Sequence, residues 1–302
     1  MFIKTYKTTI KRILRSPLFW IVLAVVAVLV FMAANREMYG GAAGTLGDKD
    51  PGYVLGYHKY HEMMANLLRN MMLYMIPCLC VVTVMTVIGG DYADNFYEIE
   101  RAGGVRSASY FFGRLTAILT VLFTITLIFS FFSVNYYFFT RGGVSNFNKT
   151  PTNYIADWHL TSLKDYILDS TKVIFRLVVL CQLPVIIEFV ALTYAVGAFL
   201  ESGILAGIGG NVAVVIAYVA ANRYQWDFYS TVYKYFLPAR IGSLLYVSRY
   251  DTVFNTPEFI AKHGSMYVND TFESCATWIA VTLGISAVLI LYSFISTWRR
   301  KI

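Results

Sequence analysis

The sequence predicts an all-α polytopic membrane protein with six transmembrane helices and both termini in the cytoplasm. Three observations carry this. Of 302 residues, 57% are hydrophobic and only 14% charged, against about 45–50% and about 25% in soluble chains. Six apolar runs of spanning length occur, at 18–34, 70–90, 115–138, 177–200, 203–222 and 276–297, and of the 25 basic and 18 acidic side chains only Glu188 lies inside them. Lys and Arg concentrate on one side of the bilayer: the segments placed inside carry 11 in 48 residues, those placed outside 14 in 126, the positive-inside bias that sets orientation. A hydrocarbon core of about 30 Å needs roughly 20 apolar helical residues, whose backbone groups must bond within the segment. A secreted disulfide scaffold, a disordered chain and a free-standing soluble enzyme are excluded. The +7 net charge reads as topology plus contact with the lipid bilayer, and requires no nucleic acid.

Residues 1–17 form an interfacial helix. Phe2, Ile3, Tyr6, Ile10, Ile13 and Leu14 recur at helical spacing, with Lys4, Lys7, Lys11, Arg12 and Arg15 on the remaining faces, so the helix lies on the membrane. Ser16-Pro17 ends it, because proline continues a helix only from the first turn of the next one. The run 18–34 is longer than a signal-peptide core of about 7–15 residues and has no clear small-x-small cleavage site, so it is read as a retained span.

Segment 91–114, between the second and third spans, is the most informative part of the chain. Asp91 to Arg101 suits a short helix in which Phe96, Tyr97 and Ile99 form an apolar edge beside Glu98, Glu100 and Arg101, and Gly103-Gly104 breaks it. Such a helix on a cytoplasmic loop fits a partner's groove and can pass a rigid-body push into the membrane. A solvated loop accounts for the same charges equally well.

The order Gly89-Gly90-Asp91, an acidic short helix with Asp94 and Glu98, a glycine break, then Arg106-Ser107, Tyr110 and Gly113-Arg114 resembles the permeases of type-2 ABC (ATP-binding cassette) transporters. The basic interfacial helix, the Ser-Pro boundary, six spans, a two-residue turn at 201–202 and a large segment before the last span are similar to that family throughout the chain. The resemblance implies that Asp91, Asp94, Phe96, Tyr97, Glu98, Glu100, Arg101 and Arg106 form or support a coupling helix seated on cassette ATPase subunits, and that two permeases pair as a homo- or heterodimer. Gly103-Gly104-Val105 replaces the apolar-proline turn common in that family. The sequence contains no Gly-Lys dipeptide and so no phosphate-binding loop. ATP and Mg would therefore belong to a partner subunit, and no cofactor to this chain.

Enzymatic chemistry finds little purchase. His58, His61, His159 and His263 fall in outer segments, and His58-Lys59-Tyr60-His61-Glu62 lacks the second histidine of a zinc-protease helix. Cys78, Cys80, Cys181 and Cys275 form no metal framework. Within the spans Glu188 stands out, since an ionisable group at mid-helix faces the bundle interior or water. With Gln182 and Pro184 it is a candidate for a translocation pathway, or else for a packing network. Gly203, Gly207 and Gly210 mark a candidate helix-packing or dimer interface. Segment 223–275, rich in Tyr, Phe and Trp, suits the headgroup zone as an outer cap. No internal repeat divides the chain, which reads as one permease domain over 1–302.

The expected function is the membrane subunit of an ATP-driven exporter in a bacterial cell membrane, moving an amphipathic or hydrophobic substrate, with an antimicrobial peptide as first candidate. The alternatives are an ion- or proton-coupled secondary transporter centred on Glu188 and a non-transporting sensory or assembly scaffold.

Overall fold

A computed structural model describes residues 2–40, 71–93, 106–140, 175, 178–222 and 272–299. These are helical, with no strand among the described residues. Three helices are long and apolar enough to cross a membrane, at Ser107–Ser133, Val178–Leu200 and Ile279–Thr297, or four if the bent pair Phe2–Arg15 and Pro17–Met32 counts as one. Ile76–Gly89 and Gly203–Val212 are shorter apolar stretches. Helices of this length and composition mark a membrane-embedded protein.

Helix α1 (Phe2–Arg15) meets α2 (Pro17–Gly40) at a bend of 61°. Proline starts α2, and the corner is closed by two bonds: the Ser16 N–H donates to the Ile13 carbonyl at 3.1 Å, and Trp20 Nε1–H donates to the Leu14 carbonyl at 2.8 Å. The Trp20 indole thus satisfies one of the carbonyls that a helix leaves open at its carboxyl end. The buried stripe of α1 is Thr5, Thr9 and Ile13, spaced by four residues. The apolar set expected to act together is instead divided: Ile13 is buried, while Ile3 is 65% exposed and Leu14 also faces outward. Small Thr side chains let α1 lie close on a neighbour, whereas larger apolar residues are left beside the exposed Lys4, Lys7 and Lys11.

Helix α3 (Ile76–Ala93) is preceded by a π turn at Met71–Met75, and α5 (Leu183–Leu200) by another at Val178–Gln182. Between them, α4 (Ser107–Thr140) is 34 residues long, about 51 Å at 1.5 Å per residue. It starts eight residues before the apolar run expected at Leu115, because Tyr110, Phe111 and Gly113 are buried against protein. Helix α6 (Gly203–Asn222) follows α5 through Glu201 and Ser202, and α7 (Phe272–Arg299) completes the described chain.

Helix α5 is the centre of the bundle, packed along α3, α6 and α7. Its buried residues include Val185, Ile186, Phe189, Val190 and Tyr194. Phe111 links it to α4 and α7, with ring centroids 5.7 Å from Tyr194 and 5.4 Å from Phe294, within the range of favourable aromatic pairing. The turn at Glu201 adopts φ 55° and ψ 27°, left-handed geometry that closes a helix carboxyl end. The Ser202 hydroxyl then accepts the Leu205 N–H at 3.3 Å, capping α6.

Gly203, Gly207 and Gly210 face α3. A Cβ on Gly203 would collide with the Gly89 backbone, one on Gly207 would lie 2.6 Å from Met85 Sδ, and one on Gly210 would strike the Val81 side chain. These three glycines therefore bring two helices of one chain together, as small residues do where hydrocarbon offers no hydrophobic drive. The cost of a methyl depends on whether the neighbour can yield. We expect Gly203→Ala to destabilise the detergent-solubilised protein by about 1–3 kcal/mol, Gly207→Ala by less because the Met85 thioether can move, and Gly284→Ala, with open space around it, not at all. Equal melting temperatures for the first and last variants would contradict this packing.

Candidate functional site

The end of the bundle from which segment 91–105 departs is built by four helices. The α3 backbone runs through Asp91 to Ala93, and α4 resumes at Ser107 after Arg106, whose side chain is exposed. Asp94, Phe96, Tyr97, Glu98, Glu100 and Arg101 lie outside the described residues, as does the Asp91 side chain. The structure therefore defines the base of the segment.

That base is held at three points. Arg114 is only 5% exposed, its guanidinium lies 4.0 Å above the Tyr110 ring, and Nη1 donates to the Val87 carbonyl at 3.4 Å. One side chain of α4 thus bonds the last turns of α3 while its charge rests on an aromatic face, an interaction favoured by desolvation. Gly113 allows α1 to cross α4, because a Cβ there would lie 3.3 Å from both the Phe2 carbonyl oxygen and Thr5 Cβ. The Gly203–Gly89 approach brings the α5–α6 turn to the same end of α3. Tyr110 and Gly113-Arg114 belong to the motif quoted from the sequence, but the contact of Arg114 with the Val87 carbonyl follows only from the structure.

The three pathway candidates lie along one helical stretch. Gln182 is fully buried in the second π turn, where Ser130 Oγ donates to its Oε1 at 3.1 Å. Pro184 is the buried second residue of α5, and Glu188 lies one turn further on. Through Ser130 the Gln182 side chain addresses α4. Ser296 Oγ donates to the Ala198 carbonyl at 3.4 Å, a register that puts Glu188 near the level of Ser286, a buried hydroxyl of α7. Glu188 Oε2 and Gln182 Nε2 are enclosed and have no hydrogen-bond partner among the described residues. Such groups are costly in a dry interior, and Thr83 Oγ1 of α3 is a third of the kind among the described residues.

The other polar candidates are satisfied locally. Cys80 is buried with Sγ 3.8 Å from the Ile186 carbonyl, and Asn211 Nδ2 donates to the Gly207 carbonyl at 2.8 Å. All four histidines lie outside the described residues, and no group of three or more His, Cys, Asp and Glu gathers among the described ones. Because Arg114 joins two helices from a buried position, Arg114→Ala is expected to cost about 2–3 kcal/mol in thermal unfolding. The exposed Arg106→Ala should stay within about 0.5 kcal/mol. Similar melting for the two would remove Arg114 as the clamp. Comparison of the chain with protein-family models, curated proteins and solved structures finds no match.

Proposed function

We propose that the chain is the permease subunit of an ATP-driven exporter of the type-2 ABC kind, with six spans and both termini cytoplasmic. In this reading α2, α3, α4, α5, α6 and α7 are the spans and α1 is the interfacial helix. The observation that carries the proposal is the base of segment 91–105, where Arg114 ties α4 to α3, Gly113 admits α1, and Gly203 seats the α5–α6 turn on Gly89. A push delivered to that segment meets four helices already joined, so little motion is lost in the loop. A partner ATPase holding ATP and Mg would supply the push, through Asp91, Asp94, Phe96, Tyr97, Glu98, Glu100 and Arg101. A second permease copy or homologue would complete the route for an amphipathic or hydrophobic cargo, an antimicrobial peptide being the first candidate.

The test is co-purification of the chain with a cassette ATPase from its native membrane, followed by ATPase and export assays in vesicles. Glu98→Lys should weaken the complex about tenfold or more, as reversal of a charge in an interface does, and deletion of residues 94–101 should abolish export while leaving the permease in the membrane. Intact export after that deletion would refute the proposal.

A secondary transporter centred on Glu188 is the second reading, favoured by the enclosed, unpartnered Oε2. It requires that Glu188→Gln abolish transport driven by an ion gradient in the absence of any ATPase. Undiminished gradient-driven uptake in that variant would eliminate it.

A further inference from the structure

The two π turns share one local pattern. Met71–Met75 is followed by Ile76-Pro77, and Val178–Gln182 by Leu183-Pro184, so each proline is the second residue of the α-helix that follows. Proline lacks an N–H, and its ring clashes with the carbonyl four residues back. Those carbonyls belong to Leu73 and Leu180, each the middle residue of its π turn. Widening the turn makes room for the ring and leaves a site where a helix bends at low cost.

The breaks lie at one depth. Cys80 meets the Ile186 carbonyl, and Ile88 lies where a Cβ on Gly197 would touch it, so α3 and α5 run parallel with residue numbers offset by 106 to 109. The two π turns are offset by 107. Ser130 of α4 stands between them, its Oγ 3.1 Å from Gln182 Oε1 and 3.5 Å from Met71 Sδ. A hydroxyl has one proton to donate, so it serves one acceptor at a time. Among the described residues the Gln182 side chain has that one hydrogen bond, with Nε2 unpartnered. The opposite end of the same helices carries the Arg114–Val87 and Gly203–Gly89 contacts.

We propose that Pro77 and Pro184 form one hinge line across α3 and α5, latched by the Ser130–Gln182 hydrogen bond, about which the turns Met71–Met75 and Val178–Gln182 swing together. The end near segment 91–105 stays packed. Opening breaks one bond between neutral groups, and the buried Met71, Met72 and Met75 move with their turn.

The test is distance measurement by pulsed electron resonance on the full chain in lipid nanodiscs, with the native cysteines replaced. Spin labels at the exposed Met32 and Leu180 report the hinged end, and labels at the exposed Leu18 and Phe199 the other end. The Met32–Leu180 pair should show two distances and the Leu18–Phe199 pair one. Pro77→Ala combined with Pro184→Ala should abolish the second distance, and Gln182→Leu, which keeps the side-chain bulk, should enrich it. A single distance at the hinged end, equal spread at both ends, or two distances that persist in the double proline variant would each overturn the proposal. Should the double variant fail to fold, Gln182→Leu decides alone: an unchanged ratio of the two distances overturns the latch. No ATPase or cargo enters the measurement, so the hinge and the exporter reading fail separately.

Discussion

A backbone surrounded by hydrocarbon must bond to itself, and this constraint governs the rest of the molecule. It makes every described element a helix. It also withdraws the hydrophobic drive between helices, since lipid is as apolar as leucine, so association depends on how closely surfaces approach. The closest approach lies between α6 and α3, at Gly203, Gly207 and Gly210, and α5 packs along both helices. The aromatic contacts of Phe111, Tyr194 and Phe294 bind α4 and α7 to the same centre.

The same constraint explains where polarity is tolerated. Thr193, Ser286 and Ser293 return their hydroxyls to carbonyls one turn earlier in their own helices, a local solution that needs no neighbour. Arg114 is accommodated because it sits near a helix end, with an aromatic face beneath it and a carbonyl within reach. Gln182 Nε2 and Glu188 Oε2 find no partner among the described residues, and the secondary-transporter reading rests on the second.

Much of this was legible in the residues. Hydropathy located the apolar helices, and Ser16-Pro17 marked the corner between α1 and α2. The glycines of α6 identified a packing face, though only the structure shows that the partner is α3 rather than a second copy. What periodicity misread is equally specific. It assigned α1 one apolar face, whereas contact with α4 selects the smaller Thr5 and Thr9, because close approach to Gly113 rewards low bulk over hydrophobicity. It started α4 at Leu115, because Arg114 resembles a loop charge until Tyr110 and Val87 are seen beside it. Pro77 and Pro184 are both visible in the sequence, but the shared depth of their turns follows from tertiary register, which no single segment encodes.

The turn between α5 and α6 also bears on how the chain is made. Two residues, Glu201 in left-handed geometry and Ser202 as a cap, leave no length for a polar excursion between two apolar helices. In the six-span reading the pair enters the bilayer together as a hairpin rather than in succession. A helix carrying Glu188 is a poor candidate to partition alone, since an ionisable residue at its middle opposes insertion by up to about 2.5–3.5 kcal/mol. In the six-span reading it is joined to α6, whose described residues carry no charge, and crosses with a companion that supplies the missing apolarity before α7, the last helix in chain order, is made.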